Sequence, residues 1–256
     1  MNQSERARRT GIAPRITCAV VVYPERIVPE DTPAGVVALH LKRYDFARRY
    51  CGGADVLDAG CGVGYGSAHL AEAAASVVGV DVSTEAIAYA RAHYANPRTS
   101  FAVMDVTALE FPDESFDVVC SFETLEHVRE PSQAVGEARR VLRAGGAYVV
   151  STPRAERTCL SPDNPFHEVE YSPTDFAALL RERFESVELY GQRRLETRRH
   201  RLLRRLDVLG LRRRFALLRR ASALTGSRPT TELTLGDIVI EPDALDDASE
   251  VVAVCR

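Results

Sequence analysis

Apolar residues fall along the chain in two alternating patterns: short continuous runs, and longer stretches in which apolar positions recur every three or four residues. Continuous runs are typical of strands buried on both faces of a parallel sheet, and the second spacing is typical of helices with one buried face. The runs predict strands at residues 55–59, 76–81, 99–105, 116–122, 147–152, 184–190, 237–240 and 250–255. The stretches between them predict helices at residues 32–50, 67–75, 83–94, 131–143 and 172–183. Because strands alternate with helices of about 12 residues, we expect an α/β domain with a mostly parallel sheet and helices on both faces.

Local sequence also predicts where several of these elements begin and end. Thr32 followed by Pro33 is typical of a helix N-cap and first helical position, and Ser172 with Asp175 predicts a second capped start. The Gly145-Gly146 pair predicts the end of the helix at residues 131–143. Residues 153–171 hold three prolines and no apolar periodicity, which predicts a long loop. Loops of that length in a compact domain are usually functional.

Length and composition limit the class of protein. With 256 residues, 45% of them hydrophobic, and a net charge of −3, residues 1–256 are expected to form a single folded domain. No stretch approaches the roughly 18 apolar residues that a membrane span needs. The six cysteines lack the paired spacing of a zinc site, which predicts reduced thiols. A basic N-terminal stretch before a short apolar run lacks a small-residue cleavage pattern, so we expect a cytoplasmic protein.

Basic residues are concentrated in one segment. Residues 193–220 hold twelve arginines and two acids, a local charge of +10, which leaves −13 for the rest of the chain. Two short amphipathic helices broken near Gly210 are predicted by the spacing of Leu202, Leu206, Leu209, Leu211, Phe215 and Leu218. We therefore expect residues 193–228 to form a basic helical insertion, or lid, within the domain.

Three roles are open for this insertion. Its leucines could pack on the domain as a solvated lid, or residues 193–220 could contact an anionic membrane surface peripherally. A contact with nucleic acid needs a basic footprint, which the segment has. However, Phe215 is its only aromatic residue and no RNA-binding module accompanies it, which disfavours nucleic acid as a partner.

A glycine-rich turn follows the first predicted strand, with glycines at positions 60, 62, 64 and 66. Glycine lets a ligand approach the backbone closely, and the start of the next helix offers unpaired N–H groups. The Gly-x-Gly-x-x-Gly spacing of dinucleotide sites fails because Tyr65 stands three residues after Gly62. A Gly-Lys-Ser/Thr triphosphate motif is also absent from the sequence. The turn therefore predicts a ligand site without fitting either of these nucleotide motifs.

The motifs occur in an order that resembles the class I S-adenosylmethionine-dependent methyltransferases. The resemblance rests on residues 56–64, 78–81, 105–106, 116–119 and 140–146, and it covers roughly residues 40–190 together with the last strand. It implies a Rossmann-like, seven-stranded, mostly parallel sheet with helices on both faces. It also implies S-adenosyl-L-methionine as the cofactor.

The same resemblance implies roles for particular residues. Asp81 is expected to accept hydrogen bonds from the ribose hydroxyls, and Asp105 from the adenine amine, with Val82 and Val106 covering the ring. Arg43 is expected to bind the carboxylate of the cofactor. The full expected cofactor set is Arg43, Asp58, Gly60, Cys61, Gly62, Gly64, Tyr65, Asp81, Val82, Asp105, Val106, Phe122 and Glu123.

Shorter motifs are similar to those of bacterial enzymes that methylate sugars, glycans or glycosylated natural products. They lie at residues 25–30, 43–47, 64–67, 123–128, 151–153 and 164–167. The resemblance implies O-methylation of a small-molecule or glycan acceptor by in-line displacement, in which the site holds nucleophile, methyl carbon and sulfur in line.

A hydroxyl nucleophile must lose its proton, and imidazole titrates in the range suited to accept it. We expect His127 to act as the general base, and His167 and Glu168 to position the acceptor hydroxyl. A structural role for each histidine competes with this hypothesis. The nearby acids leave a further alternative, in which Asp163, Glu168 and Glu170 bind a divalent metal, although we expect no metal.

Two other functions compete with O-methylation. One is N- or C-methylation of a small natural product or a quinone-like acceptor. The other is a non-catalytic, cofactor-binding regulatory protein in which the histidines are structural. The sequence sets neither the acceptor nor the oligomeric state.

Overall fold

The computed structural model describes residues 26–195 and 229–256. The α-helices in these residues are α1 (Ala34–Ala47), α2 (Tyr65–Leu70), α3 (Thr84–His93), α4 (Pro131–Val141) and α5 (Pro173–Arg181). The strands are β1 (Asp55–Ala59), β2 (Ser76–Asp81), β3 (Thr99–Val103), β4 (Phe116–Phe122), β5 (Leu142–Pro153), β6 (Val187–Arg194), β7 (Ile238–Glu241) and β8 (Glu250–Cys255).

All eight strands belong to one sheet, in the order β3-β2-β1-β4-β5-β8-β6-β7. The first five are parallel to one another, while β8 runs antiparallel between β5 and β6. The predicted α/β fold with a mostly parallel sheet is thus confirmed. The predicted count of seven strands is wrong, because the apolar run at residues 237–240 forms a separate edge strand, β7, in a hairpin with β6.

The hydrophobic core lies on both faces of this sheet. Neighbouring residues of a strand point to opposite faces, so Val56 contributes to one cluster and Leu57 to the other. The Val56 cluster packs under α1 and α2, and the Leu57 cluster packs under α4 and α5. Burial on both faces explains why the strands appear in the sequence as continuous apolar runs.

Several element ends differ from the sequence prediction. Pro33, not Thr32, is the N-cap residue of α1. Helix α2 ends at Leu70, five residues earlier than predicted. Helix α4 ends at Val141, and the Gly145-Gly146 pair lies inside β5, where Gly145 has a φ of 77° and the pairing with β4 shifts register. The predicted cap at Ser172 is confirmed, because its side chain accepts a hydrogen bond from the Asp175 N–H.

The long loop predicted at residues 153–171 contains no helix or extended strand after Pro153. Isolated bridges join Arg154 to Tyr171 and Cys159 to Glu170, so the loop folds back on itself. Helix α5 then returns the chain to the sheet. The loop therefore lies beyond the carboxyl end of β5, on the edge where β1, β2 and β4 also end.

Most of the predicted basic insertion lies outside the described residues. Of residues 193–228, the structure describes 193–195, and Arg193 and Arg194 belong to β6 rather than to an insertion. Leu195, the last residue described before the gap, donates a hydrogen bond from its N–H to the carbonyl oxygen of Asp237, which follows the gap, at 2.8 Å. Within residues 26–195 and 229–256, every helix falls short of the length and apolar character that crossing a membrane requires.

Two glycine-to-alanine substitutions should change stability in opposite directions. A Cβ at Gly191 in β6 would lie 2.5 Å from the backbone carbonyl of Ala244, so Gly191→Ala should lower the free energy of unfolding by about 1–3 kcal/mol. A Cβ at Gly136 in α4 would meet only the Arg183 side chain, at 3.6 Å. Gly136→Ala should therefore raise the free energy of unfolding by about 0.5–1 kcal/mol, because alanine favours the helical conformation more than glycine does. Urea denaturation measures both, and a stable Gly191→Ala protein would contradict the packing described here.

Candidate active site

The glycine-rich turn lies at the carboxyl end of β1. Gly60 and Gly62 have φ angles of 87° and 55°, which glycine adopts without strain. A Cβ at Gly60 would lie 2.3 Å from Thr124 Oγ1, so the turn packs closely against the end of β4. In the part of the chain that the structure describes, a Cβ at Gly62 would meet nothing within 4 Å. The backbone of Gly62 therefore faces open space, which a ligand can approach.

Asp81, at the end of β2, holds this turn in place. Its Oδ2 accepts a hydrogen bond from the Gly62 N–H, and its Oδ1 accepts one from the Ser83 N–H, both at 2.9 Å. A carboxylate has about four acceptor sites, so two remain for other donors such as vicinal hydroxyls. At the next strand end, Asp105 accepts from the N–H and hydroxyl of Thr107 through one oxygen.

Two exposed valines flank these carboxylates. Val82 is 65% exposed and Val103 is 44% exposed, both unusually high for large apolar residues. Val103 pairs with Asp81 across β2 and β3, so both valines lie at the same edge of the sheet. An apolar surface between two carboxylates fits an adenine ring with its amine and ribose. Val106, also predicted to cover the ring, is 9% exposed and packs in the core, so Val103 is better placed for that role.

A buried carboxyl group lies beneath the turn. Asp58 in β1 accepts hydrogen bonds from Ser67 Oγ at 2.6 Å and from Tyr44 OH at 3.4 Å. Burial raises the pKa of Asp58 to about 7, although these two hydrogen bonds oppose the shift. Tyr44 also packs edge-on against Phe122 and Tyr65, with ring centroids 4.8 and 6.1 Å apart. Asp58, Phe122 and Tyr65 thus support the turn from below.

Cys61 belongs to the same supporting layer. Its thiol is buried and lies 3.6 Å from the Gly62 carbonyl oxygen. Gly64 follows as the N-cap residue of α2. These two predicted cofactor residues shape the turn, while Gly62 presents its open side.

Arg43 of α1 brings a buried positive charge to this edge of the sheet. Its side chain is 1% exposed, with Nε 3.9 Å from Glu123 Oε1 and Nη1 4.0 Å from Glu250 Oε2. Burial lowers the pKa of Arg43, but the two carboxylates raise it by more, so the guanidinium stays charged. Among residues 26–195 and 229–256, its Nε finds no hydrogen-bond partner. A buried guanidinium with an unused donor fits the predicted contact with a ligand carboxylate.

Glu123 is held in an unusual backbone conformation beside Arg43. Its φ is 51°, which is uncommon for a residue with a side chain. Its Oε1 accepts a hydrogen bond from Ser151 Oγ at 2.7 Å, which joins the ends of β4 and β5. Positive φ at a strand end is a feature that concentrates at functional sites.

His127 and His167 lie together, as the sequence analysis required of a joint site. Their ring centroids are 5.0 Å apart and the rings are inclined at 75°. His127 Nδ1 lies 2.8 Å from the carbonyl oxygen of Phe166, which can only accept, so Nδ1 carries the proton. His167 Nδ1 lies 3.0 Å from Glu170 Oε1. These two contacts orient both rings, and His167 Nε2 lies 3.0 Å from the Asn164 side-chain amide.

Glu126 lies beside the two histidines and was not among the predicted site residues. Its side chain is 1% exposed and lies beside Thr152, whose hydrogen bond opposes the rise in the pKa of Glu126. Burial raises the pKa of Glu126 well above its usual range, and the charge of Glu123 adds to the shift. One ligand atom from each of Glu126, His127 and His167 lies within 4.8 Å of the others.

The three acids of the predicted loop have different surroundings. The Glu168 carboxylate is exposed and accepts a hydrogen bond from Arg129 Nε at 3.2 Å, so it is not directed at the histidines. Its backbone N–H instead donates to the Glu126 carbonyl oxygen at 2.7 Å. Asp163 is also exposed, and Glu170 contacts His167. Among the described residues, the cluster with metal-ligand spacing is therefore not the set of three acids left open as an alternative.

Comparison with known proteins gives a family match for the central part of the chain. Residues 57–150 match the family model described as a methyltransferase domain. The chain is 42% identical, over 135 residues, to a protein of Mycolicibacterium smegmatis named as a probable S-adenosylmethionine-dependent methyltransferase. That alignment covers 51% of this chain and 51% of the relative, so the chain spans about half the length of the curated relative it matches.

Relatives with a named acceptor differ in the atom that they methylate. Phosphoethanolamine N-methyltransferase 3 of Arabidopsis thaliana is 34% identical over 55% of this chain and 27% of its own length. The ubiquinone biosynthesis O-methyltransferase of Alkalilimnicola ehrlichii is 34% identical over 43% of this chain and 47% of its own length. The acceptor therefore does not follow from these relatives.

A solved structure supports the fold. A chain of the structure described as a complex between the Haloferax volcanii Trm112 methyltransferase activator and the putative methyltransferase aligns with a TM-score of 0.57 and 20% identity, over 87% of this chain and 91% of that one. The predicted Rossmann-like fold is thereby confirmed. The family model and the first relative point to a methyltransferase that uses S-adenosylmethionine, as the sequence predicts.

The buried Asp58 carboxyl should make stability depend on pH. In the unfolded chain this group ionises near pH 3.9, and in the folded protein at about 7, so the unfolded state holds fewer protons between these values. The folded state therefore loses stability through this group as pH rises. The stability of the parent relative to Asp58→Asn should fall by about 1–3 kcal/mol between pH 5 and pH 8.

Urea denaturation at several pH values measures this difference. Gly136→Ala, which changes no titratable group, is the control, and its stability relative to the parent should not vary with pH. A difference between parent and Asp58→Asn that is constant with pH would mean that the carboxyl is ionised throughout.

Proposed function

We propose that this chain, whose residues 57–150 form a class I S-adenosylmethionine-dependent methyltransferase domain, methylates a hydroxyl group of a sugar, glycan or glycosylated natural product. The observation that carries the choice of acceptor is the His127–His167 pair, with both Nδ1 atoms held by acceptors. The remainder of the proposal rests on the open face of the glycine-rich turn and the charged groups around it.

The cofactor end of the site is formed by the strand ends of the domain. S-adenosylmethionine supplies a methyl group bound to a positively charged sulfur. Asp81 and Asp105 accept hydrogen bonds from its ribose hydroxyls and adenine amine, between the apolar surfaces of Val82 and Val103. Arg43, with its unpartnered Nε, binds the carboxylate.

The acceptor end is formed by the last residues of β4 and by the loop after β5. A sugar hydroxyl is a poor nucleophile until its proton is removed, and His127 Nε2 is the ring atom suited to accept that proton. His167 lies beside it, and Asn164 and Glu170 supply polar atoms that suit a hydroxylated acceptor. This polar lining favours a sugar over a flat aromatic acceptor.

The main alternatives differ in acceptor or in activity. An amine acceptor, as named for the Arabidopsis relative, can lose its proton to solvent and makes little use of two fixed imidazoles. A quinone-like acceptor would need an apolar surface at this end of the site. A cofactor-binding protein without catalysis would bind S-adenosylmethionine and produce no product.

Replacing Asp81 should weaken cofactor binding. Asp81→Asn removes the negative charge of the group that accepts the ribose hydrogen bonds. Hydrogen bonds to a charged group contribute about 1.5–3 kcal/mol, so the Kd for S-adenosylmethionine should rise roughly 10- to 100-fold, as measured by calorimetric titration. Asp113→Asn is the matched control, because Asp113 is exposed and pairs with Arg140 away from this edge. Equal affinities for the parent and Asp81→Asn would overturn the proposed ribose contact.

Acceptor specificity is tested by turnover with three groups of acceptors. Formation of S-adenosylhomocysteine should occur with glycosides that carry free hydroxyls and should be at least tenfold slower with phosphoethanolamine or a hydroquinone. Turnover with the amine or the quinol alone would refute the proposed acceptor. Binding of S-adenosylmethionine with no turnover of any acceptor would favour the regulatory alternative.

A further inference from the structure

We infer that His40 and Gln192 are positioning residues for cofactor binding, because together they hold the Arg43 guanidinium in place. The inference rests on the proposed function, in which Arg43 binds the carboxylate of S-adenosylmethionine. Neither residue belongs to the expected cofactor set. His40 acts directly on the guanidinium, and Gln192 acts on the helical turn that carries it.

The two ion pairs of Arg43 are too long to orient its side chain. Nε lies 3.9 Å from Glu123 Oε1 and Nη1 lies 4.0 Å from Glu250 Oε2, both beyond hydrogen-bond distance. A carboxylate at that distance attracts the guanidinium without fixing its plane. A hydrogen bond to a ligand carboxylate depends on where that plane points. The two acids therefore explain why Arg43 stays charged but not how it is oriented.

His40 supplies the missing orientation. Its Nδ1 lies 2.9 Å from Arg43 Nη2. A guanidinium nitrogen can only donate, so Nδ1 carries a lone pair and the ring proton is on Nε2. Burial and the nearby charge of Arg43 lower the pKa of His40 well below its usual value, which keeps the ring neutral. The hydrogen bond thus holds the guanidinium without neutralising the charge that a ligand carboxylate needs.

Gln192, near the end of β6, fixes the turn of α1 that carries Arg43. Its Nε2 donates to the Leu39 carbonyl oxygen at 3.1 Å and to Glu250 Oε2 at 2.9 Å. Leu39 precedes Arg43 by four residues, so a regular α-helix pairs its carbonyl with the Arg43 N–H. One side-chain amide therefore ties this turn of α1 to both β6 and β8.

Glu250 is itself held firmly at this junction. It is the first residue of β8, which runs antiparallel to its neighbours, so it lies at the edge of the sheet where β5 and β6 end. In the sheet it stands opposite Pro153 of β5 and Gln192 of β6. Its Oε2 also accepts a hydrogen bond from Ser249 Oγ at 2.6 Å. The carboxylate that faces Arg43 thus has a fixed place.

Stability alone does not explain a polar side chain at position 192. Gln192 is 0% exposed, and its Oε1 finds no hydrogen-bond partner in the part of the chain that the structure describes. Burying an amide oxygen without a donor costs free energy that a methionine of similar size would avoid. The amide is explained by the two hydrogen bonds of its Nε2, which set where α1 and Arg43 lie.

A poorly oriented Arg43 should affect one end of the cofactor only. The proposed ribose and adenine contacts come from Asp81 and Asp105, at the ends of other strands, and do not involve α1. Decarboxylated S-adenosylmethionine keeps the adenosine, the sulfonium and the ammonium and lacks the carboxylate. Comparing the two ligands therefore isolates what the orientation of Arg43 contributes.

Calorimetric titration of the full chain with these two ligands tests the inference. His40→Leu removes the hydrogen-bond acceptor, and Gln192→Met removes the amide donors. Each should raise the Kd for S-adenosylmethionine roughly tenfold, which corresponds to the loss of about one hydrogen bond to a charged group. The Kd for the decarboxylated ligand should stay within about twofold of that of the parent.

Two further variants separate a positioning role from a general effect on the fold. His40→Asn has the shape of His40→Leu but keeps an acceptor near the place of Nδ1, so it should bind both ligands as the parent does. His69→Leu is the matched control, because His69 also contacts an arginine, with Nε2 3.4 Å from Arg48 Nη1, in the last turn of α2. Its affinities should equal those of the parent, and thermal unfolding should show that all four variants are folded.

Three results would overturn the inference. They are an unchanged Kd for S-adenosylmethionine in either His40→Leu or Gln192→Met, an equal loss of affinity for both ligands, and an equal loss in His40→Asn and His40→Leu. A parent that binds the two ligands equally would overturn the Arg43 contact and the positioning role with it. A parent that binds them as expected but methylates no glycoside would overturn the proposed acceptor and leave the positioning role standing.

Discussion

The hydrogen bond between the Gly62 N–H and the Asp81 carboxylate joins the ends of β1 and β2, and the geometry of the candidate site depends on it. The N–H groups of Gly60 and Cys61 both donate to the Val80 carbonyl oxygen, at 2.8 and 2.9 Å, so the turn is attached to the neighbouring strand at three points. Buried side chains support it from below. The open face of Gly62 is thus a property of the sheet and not of a mobile loop.

The strands could be predicted because a sheet covered on both faces needs nearly every strand residue to be apolar. That constraint does not apply where β5 begins, since residues 142–146 include an arginine and two glycines. Glycine after a basic residue is typical of a helix end, so the sequence predicts the end of a helix where the strand begins. The strand count failed for another reason. The sequence contains eight apolar runs, whereas the family that it resembles implies seven strands, so the run at residues 237–240 exceeds that number.

The candidate site could be predicted where residue type and position in the chain carry the chemistry. Asp81 and the two histidines belong to this class, because each follows a strand whose end lies at the same edge of the sheet. Whether the other residues near these strand ends belong to the site depends on whether their side chains are exposed, and a single sequence does not give that exposure. Val103 and Val106 are the same residue type near the same strand end, yet one is exposed and the other lies in the core. Glu126 escaped prediction for the same reason, because what distinguishes it is its burial beside the two histidines.

The hairpin of β6 and β7 has a consequence for how chains of this kind can diverge. Leu195 and Asp237 are joined by a backbone hydrogen bond, so two positions 42 residues apart in the sequence meet at one point of the sheet. Closing a flexible loop costs only about 0.6 kcal/mol more for each doubling of its length. Evolution can therefore lengthen, shorten or replace this connection with little effect on the sheet. The cofactor edge, built from β1 to β4, would be inherited unchanged while the connection at the opposite end of the sheet varies.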